Sequence, residues 1–136
     1  MSPLTSCSPD QLATCFTNTF PRSLGKGRMQ SERTWNGERL FLYISWELEK
    51  DETVASVKLQ YYPYRNEVWI GALSVQERFR GNGFGKQIVQ SIEQGAVQEQ
   101  VEVIRLFTRR KATGFWTNLG YRAEEDSRYL RKTFSS

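Results

Sequence analysis

The sequence predicts one mixed α/β domain spanning residues 1–136, in which an antiparallel meander leads into a parallel strand–helix–strand unit and a final hairpin. Three observations predict this fold. Apolar residues alternate strictly after Asn36-Gly37, as in a half-buried strand. A glycine-rich stretch, Gly81 to Gly85, separates an apolar run from a helical pattern. A second short helix and two closing strands follow. A chain of 136 residues can bury one core without cross-links.

The amino-terminal part contains a helix start. Ser8 is a good N-cap and Pro9 suits the first helical position, so we expect a helix from Ser8 to about Phe20. Arg22 to Gln30 contains two glycines and is predicted to be a loop. Met1 to Trp35 offers no convincing β-strand, so the sequence predicts that the sheet begins after it.

Three successive strands form the predicted meander. They are Leu40 to Leu48, Val54 to Tyr62 and Glu67 to Val75, and short polar segments connect them. Short connections of this kind join antiparallel neighbours.

The parallel unit follows the glycines. A helix beginning near Lys86 places its apolar residues on one face, and Val101 to Phe107 is predicted to be a strand buried on both faces. The apolar helix residues are Ile88, Val89, Ile92 and Ala96. Because a helix joins them, this strand and Glu67–Val75 should be parallel.

A second helix and a hairpin complete the predicted fold. Ala112, Phe115, Trp116 and Leu119 have helical spacing, and Gly120 stands where a helix C-cap glycine belongs. Residues 121–124 and 128–134 form the predicted hairpin.

Composition narrows the possible partners. The net charge is +4 and the pI is near 9.2, which suits an anionic partner such as a nucleotide cofactor or an acidic protein surface. No nucleic-acid recognition motif accompanies the charge. No apolar run is long enough to span a bilayer and no leader opens the chain, so we expect a soluble, cytoplasmic protein without membrane contacts.

Histidine is absent, and the two cysteines, Cys7 and Cys15, are close together in sequence. A zinc site and histidine-based acid–base chemistry are therefore not expected, and we predict no metal. The cysteines are predicted to be free, partly buried thiols.

The stretch Arg80-Gly81-Asn82-Gly83-Phe84-Gly85-Lys86 is the candidate binding site. Glycine adopts positive φ and allows backbone amides to approach a ligand closely, and the following helix dipole favours negative charge. The stretch therefore predicts a phosphate-binding turn. It is not a P-loop, because Gln87 follows Lys86, and it lacks the third glycine of the dinucleotide fingerprint.

The spacing Arg80-x-x-Gly83-x-Gly85 resembles the Q/R-x-x-G-x-G/A signature of the GNAT acetyltransferase superfamily. Two further segments are similar to the family: Phe115-Trp116-x-x-Leu119-Gly120-Tyr121 and Leu73-Ser74-Val75. The resemblance covers Arg39 to Phe134, and the residues before Trp35 are fewer than is usual there.

The resemblance implies an N-acetyltransferase that moves acetyl from acetyl-CoA to a primary amine of a protein or small molecule. The pyrophosphate would then be held by Arg80, Gly81, Asn82, Gly83, Phe84, Gly85 and Lys86. The pantetheine arm would be held by Leu73, Ser74 and Val75, and Phe115 would also contact the cofactor. A homodimer is one arrangement that the resemblance allows.

The same resemblance implies the catalytic residues. Glu67 lies thirteen residues before Arg80, as does the catalytic glutamate of histone-type members, and is the candidate base. Glu47 and Glu49 are second choices. Trp116 stands where the family usually has the tyrosine that protonates the leaving thiolate, and an indole N–H donates a hydrogen bond without releasing a proton near neutral pH. The alternative is therefore a GNAT-fold binding or interaction module with little or no activity.

Overall fold

A computed structural model describes residues 8–19, 28–48, 52–125 and 128–134. Its elements, in chain order, are α1 (Pro9–Thr19), β1 (Arg28–Trp35), β2 (Leu40–Leu48), β3 (Glu52–Tyr62), β4 (Glu67–Val75), α2 (Phe84–Gln98), β5 (Val103–Phe107), α3 (Thr113–Asn118), β6 (Arg122–Ala123) and β7 (Tyr129–Thr133). The strands form one sheet in the order β1-β2-β3-β4-β5-β7-β6. Only β4 and β5 pair in parallel within this described sheet. The predicted mixed fold, with a meander, a parallel crossover and a final hairpin, is confirmed.

One face of the sheet carries the core. Along β2, Leu40, Leu42 and Ile44 are buried, whereas Tyr43 between them is 39% exposed. Residues of α1 and α2 belong to the same buried cluster as these strand residues, among them Leu12, Phe16, Ile88, Val89, Ile92 and Ala96. The predicted apolar face of α2 is therefore confirmed. No helix in the described part of the chain is long and apolar enough to cross a membrane.

The expectation that β5 is buried on both faces is wrong. Ile104 and Leu106 are buried, but Phe107 is 53% exposed. The reason is that α1 and α2 pack against the face to which Ile104 and Leu106 belong. The opposite face of β5 carries Arg105 and Phe107.

The start of α1 is fixed as the sequence predicts. The Gln11 backbone N–H donates to Ser8 Oγ at 3.1 Å, and the Ser8 N–H donates to Gln11 Oε1 at 3.0 Å. This reciprocal pair satisfies two backbone donors at the helix end. Further along α1, the Cys15 side chain is buried, and its thiol donates to the Gly95 carbonyl at 3.5 Å. Cys7 and Phe20 lie outside the described residues.

The prediction that no strand precedes Trp35 is wrong. Residues 28–35 form β1, which pairs antiparallel with β2 from Arg28↔Glu47 to Trp35↔Leu40. The loop predicted for Arg22 to Gln30 therefore ends before Arg28, and its residues 22–27 lie outside the described part. All eight β1 residues are exposed. Because an exposed edge strand buries neither face, its sequence shows no alternation and gave no signal.

A bulge interrupts β4 at Gly71. The register runs Leu59↔Ile70 and then Lys58↔Ala72, so Gly71 has no counterpart on β3. A bulge shifts the facing of every later residue by one. As a result Leu73 and Val75 pair with Val57 and Ala55 on the core side, whereas Glu67 and Trp69 lie on the opposite face.

The end of α3 is closed by a glycine cap. Gly120 has φ +98°, its N–H donates to the Thr117 carbonyl at 3.0 Å, and the Tyr121 N–H donates to the Trp116 carbonyl at 3.1 Å. This pair of hydrogen bonds defines a Schellman motif and confirms the predicted role of Gly120. The cap delivers the Tyr121 side chain into the core, where it is 1% exposed.

Burial of Tyr121 couples its ionisation to folding. Burial, followed by the negative charge of nearby Glu93, raises the pKa of Tyr121 well above the ordinary tyrosine value of 10.0. Glu93 is itself paired with Lys132 at 3.1 Å, and the Lys132 ammonium also donates to the Leu119 carbonyl.

Tyr121→Phe should remove an alkaline sensitivity of the fold. A folded pKa above the unfolded one means that this contribution to stability is complete below pH 10 and is lost as the pH rises further. At pH 11 the free energy of unfolding of the parent should be about 1.4 kcal/mol lower than at pH 9 because of Tyr121. Urea unfolding at pH 9 and 11 measures the difference. Tyr64→Phe, at a ring that is 85% exposed, should follow the parent curve. An identical pH dependence in Tyr121→Phe and the parent would contradict the coupling.

Candidate functional site

A groove opens where β4 and β5 separate. Their parallel pairing ends at Ile70↔Leu106, and a cavity of about 650 Å³ lies beyond that point. Most of the predicted site residues line it, namely Leu73, Val75, Arg80, Gly81, Gly83, Phe84, Gly85, Lys86, Phe115 and Trp116. Three do not line it: Ser74, Asn82 and Glu67. Ile70, Gly71, Thr108 and Arg109 also line it and were not predicted.

The glycine turn presents backbone donors to the groove. Gly81 and Gly83 have φ of +83° and +77°, a region that other residues rarely adopt. The first hydrogen bond of α2 runs from the Gln87 N–H to the Gly83 carbonyl at 3.0 Å. The amides of residues 84–86 precede it and therefore point out of the helix end. This arrangement fits an anionic group such as a pyrophosphate.

Cationic side chains surround the turn. Arg80, Lys86 and Arg109 line the groove and are exposed. The Arg80 Nε donates to the Val75 carbonyl at 2.9 Å, which ties the loop to the end of β4. Asn82 Nδ2 donates to the Phe79 carbonyl at 3.1 Å, so the structure gives this side chain a bracing contact within the loop.

Gly85 allows α3 to approach α2. A Cβ at Gly85 would lie 3.4 Å from Phe115 Cζ, at the limit of ordinary contact. Behind Phe115, the Trp116 ring packs edge to face against Phe115 at 5.0 Å and against Tyr121 at 5.3 Å. Trp116 is only 6% exposed, so it forms part of the core as well as the wall of the groove.

One edge of β4 is available to a ligand. Ala72, Leu73, Ser74 and Val75 pair with β3, and β5 pairs with β4 only up to Ile70. The groove-facing backbone between Gly71 and Val75 can therefore pair with an extended, amide-bearing molecule as with an added strand. The Val75 carbonyl already accepts from Arg80, which leaves Leu73 as the better-placed partner.

Glu67 lies in a charge cluster at the start of the β4–β5 pairing, where its register partner is Val103. It is 3% exposed, its Oε1 is 3.3 Å from an Arg105 nitrogen, and its Oε2 accepts a hydrogen bond from the Trp69 indole at 2.5 Å. Arg105 Nε is also 3.1 Å from Glu124 Oε1. Because of the bulge, Glu67 and the predicted pantetheine contacts Leu73 and Val75 lie on opposite faces of the sheet.

The partners of Glu67 were not recognised in the sequence. Arg105 interrupts an otherwise apolar strand, and a charge at such a position can indicate a buried pair. Trp69 follows Glu67 at the strand period of two and shares its face. Of the second choices for the base, Glu47 accepts a hydrogen bond from Gln30 Nε2 at 3.2 Å on β2, and Glu49 lies outside the described residues.

The model of the acetyltransferase (GNAT) family matches residues 10–121. The chain belongs to this family. The matched range includes the groove, the glycine turn and the Phe115-Trp116 pair. No curated protein sequence matches the chain.

Several solved structures share the fold. Elp3 from the archaeon Methanocaldococcus infernus superposes with a TM-score of 0.66 at 16% identity, over 88% of this chain and about a third (32%) of the Elp3 chain. PaiA N-acetyltransferase from Thermoplasma acidophilum, in complex with coenzyme A, superposes with a TM-score of 0.56 at 16% identity, over 71% of this chain and 62% of the PaiA chain. The NatC complex bound to Gag peptide and CoA superposes with a TM-score of 0.58 at 18% identity, over 68% of this chain and 71% of the NatC chain.

Gly83→Glu should abolish binding of acetyl-CoA while the domain stays folded. A Cβ at Gly83 meets no atom within 4 Å, so the side chain fits, but its carboxylate would repel phosphate at the helix end. By calorimetry, we expect the affinity for acetyl-CoA to fall about a hundredfold or more. The positive φ should cost about 1–2 kcal/mol of stability.

Gly37→Glu is the matched control. Gly37 has φ +93° and open space around its Cβ, but it lies in the turn between β1 and β2. It should lose similar stability and bind the cofactor as the parent does. Equal affinity of the Gly83→Glu variant and the parent, with native circular dichroism, would exclude the glycine turn as the phosphate site.

Trp116→Phe should destabilise the domain more than it slows turnover. Loss of the larger ring from between Phe115 and Tyr121 should cost about 1–2 kcal/mol of unfolding free energy. If the thiolate leaves without help from the indole, turnover at saturating acetyl-CoA should stay within about threefold of the parent. A hundredfold loss of turnover would contradict this expectation. Trp116→Tyr is the companion variant, because a gain in rate would show that a proton donor was missing.

Proposed function

We propose that this chain is an N-acetyltransferase that transfers acetyl from acetyl-CoA to a primary amine of a small molecule or protein. The observation that carries the proposal is the coincidence, in one groove, of a strand edge without a β5 partner and a helix N-terminus with positive-φ glycines. A protein that binds no cofactor has little need for both of these features. The PaiA and NatC structures named above contain coenzyme A, which supports the same ligand here.

Each part of the groove has a separate task in this proposal. Bound acetyl-CoA supplies the activated acetyl thioester. The amides of residues 84–86, with Arg80 and Lys86 beside them, hold the pyrophosphate. The β4 backbone near Leu73 orients the pantetheine arm by strand-like pairing.

Glu67 is the proposed general base. The attacking amine must be neutral, so its ammonium proton has to leave. Glu67 does not line the groove, and we propose that a water molecule passes the proton to it. Arg105 and Trp69 act as positioning residues, since each binds one carboxylate oxygen.

The leaving thiolate has no tyrosine acid at the usual place. Trp116 cannot release a proton near neutral pH. Tyr121 is 1% exposed, and its raised pKa holds its proton firmly. We therefore propose that the thiolate leaves unprotonated or takes a proton from solvent. The second candidate function, a GNAT-fold module that binds acyl-CoA with little or no turnover, is favoured by this one feature.

Glu67→Gln should separate the two functions. The amide keeps the shape and can still accept a hydrogen bond from Trp69, but it is not a base. We expect unchanged calorimetric affinity for acetyl-CoA and a loss of turnover of about a hundredfold or more at pH 7. Part of the activity should return at high pH, because the amine then loses its proton to bulk solvent.

Glu47→Gln is the matched control, since Glu47 lies on β2 and only its Gln30 contact would change. It should retain parental turnover. Full turnover of Glu67→Gln near pH 7 would exclude Glu67 as the base, and turnover lost only in Glu47→Gln would assign the role there. A parent that binds acetyl-CoA and acetylates no amine would support the binding module.

A further inference from the structure

Three aromatic side chains meet on the open face of the sheet, directly below the point where β4 and β5 separate. Trp69 on β4 packs edge to face against Tyr129 on β7, with 5.8 Å between ring centroids. Phe107 at the end of β5 packs against the same tyrosine at 5.2 Å. Trp69, Phe107 and Tyr129 are called the aromatic wall below.

The aromatic wall is exposed and continuous with the groove. Phe107 is 53% exposed and Tyr129 is 44% exposed. Phe107 also lines the groove cavity, so the wall begins where the groove ends. Contiguous exposed aromatic patches mark binding surfaces, and the continuity of this one with the groove favours the acceptor as its ligand.

The charge cluster at the foot of the wall carries both signs. In it, Glu67 is buried, whereas its partner Arg105 and the second carboxylate, Glu124, have side chains that are 27% and 29% exposed. Trp69 connects the wall to this cluster through its hydrogen bond to Glu67. On the same face the register places Arg131 opposite Arg105 and Arg122 opposite Arg131, and both of these arginines are exposed. The site therefore offers a flat apolar surface close to the Glu67 carboxylate, where an amine attached to an aromatic ring would meet the proposed base.

We propose that the aromatic wall selects the acceptor, and that the acceptor is a primary amine joined by a short chain to an aromatic ring. The inference rests on the proposed function. The ring contacts Phe107 and Tyr129, and the ammonium lies toward Glu67 until it gives up its proton. The neutral nitrogen then bonds to the acetyl carbon as the carbon–sulfur bond breaks. The nitrogen loses two protons: the first passes through water to Glu67 and on to solvent, and the second leaves to solvent as the amide forms, while the thiolate takes one proton from solvent.

Calorimetry on the protein saturated with coenzyme A tests the selection without requiring turnover. The probes are 2-phenylethylamine and 2-cyclohexylethylamine, which share chain length and charge but differ in the planarity of the ring. We expect the aromatic amine to bind about tenfold more tightly. Tyr129→Leu, which keeps an apolar side chain without a planar ring, should reduce the preference to about threefold or less.

Tyr43→Leu is the matched control. Tyr43 is 39% exposed on the same face of the sheet, but β3 separates β2 from β4. The variant should keep the full preference. Equal affinity of the parent for the two amines, or an equal loss of preference in both variants, would overturn the proposal.

Acetyl transfer to three acceptors identifies the source of the ring. The assay compares 2-phenylethylamine, a tetrapeptide with amino-terminal phenylalanine, and an amino-terminally blocked peptide with one lysine. A higher kcat/KM for either aromatic acceptor than for lysine supports the inference and shows whether the ring is free or in a peptide. A preference for lysine overturns it and leaves the proposed acetyltransferase function intact. Failure to bind acetyl-CoA, by contrast, would remove the function itself.

Discussion

The end of the parallel pairing between β4 and β5 is the constraint on which the rest of the site depends. Ile70↔Leu106 is their last pair, and the Gly71 bulge immediately follows it. A bulge increases local twist and bends a strand. The bend carries the second half of β4 away from β5 while it stays paired with β3. The bulge thus opens the groove and exposes the edge of β4 toward it. It also directs the end of β4 toward the glycine turn.

The same bulge divides the site between two faces of the sheet. Leu73 and Val75 lie on the core side, beneath α2, where the cofactor is expected. Glu67 and the aromatic wall lie on the open side. A donor approaching from one side and an acceptor from the other meet only where the strands are apart. In the proposed function the reaction geometry would therefore follow from strand geometry, and the contacts with Arg105 and Trp69 would hold Glu67 on the open side.

The sequence was sufficient for the features that repeat along the chain. The alternation of Leu40, Leu42 and Ile44 and the spacing of Ile88 and Ile92 report burial on one face, so those elements were predicted correctly. Gly81, Gly83 and Gly120 were informative because few other residues adopt positive φ. Features without burial or periodicity were missed. β1 buries neither face, and its pairing with β2 depends on backbone hydrogen bonds that any sequence can make.

Long-range side-chain partners were also beyond the sequence. The position of Glu67 was noted from its offset to Arg80, but its contact with Arg105 requires the register Trp69↔Arg105 to be known. The aromatic wall combines residues from three strands far apart in sequence, and only the strand order β4-β5-β7 brings them together. The Gly71 bulge could not be located from the sequence, since a single glycine in a strand can also lie in regular pairing.

Amide hydrogen exchange, measured by NMR with and without acetyl-CoA, tests the central claim most directly. If the groove binds the cofactor as proposed, protection should increase at two separate places: the free edge of β4 around residues 72–74, and the amides of residues 84–86 at the start of α2. Both changes should saturate with the same dissociation constant. Saturating acetyl-CoA that protects neither segment would contradict the account. Protection only at the opposite end of the sheet, in the cavity lined by Asn66, Gln100 and Arg131, would also contradict it.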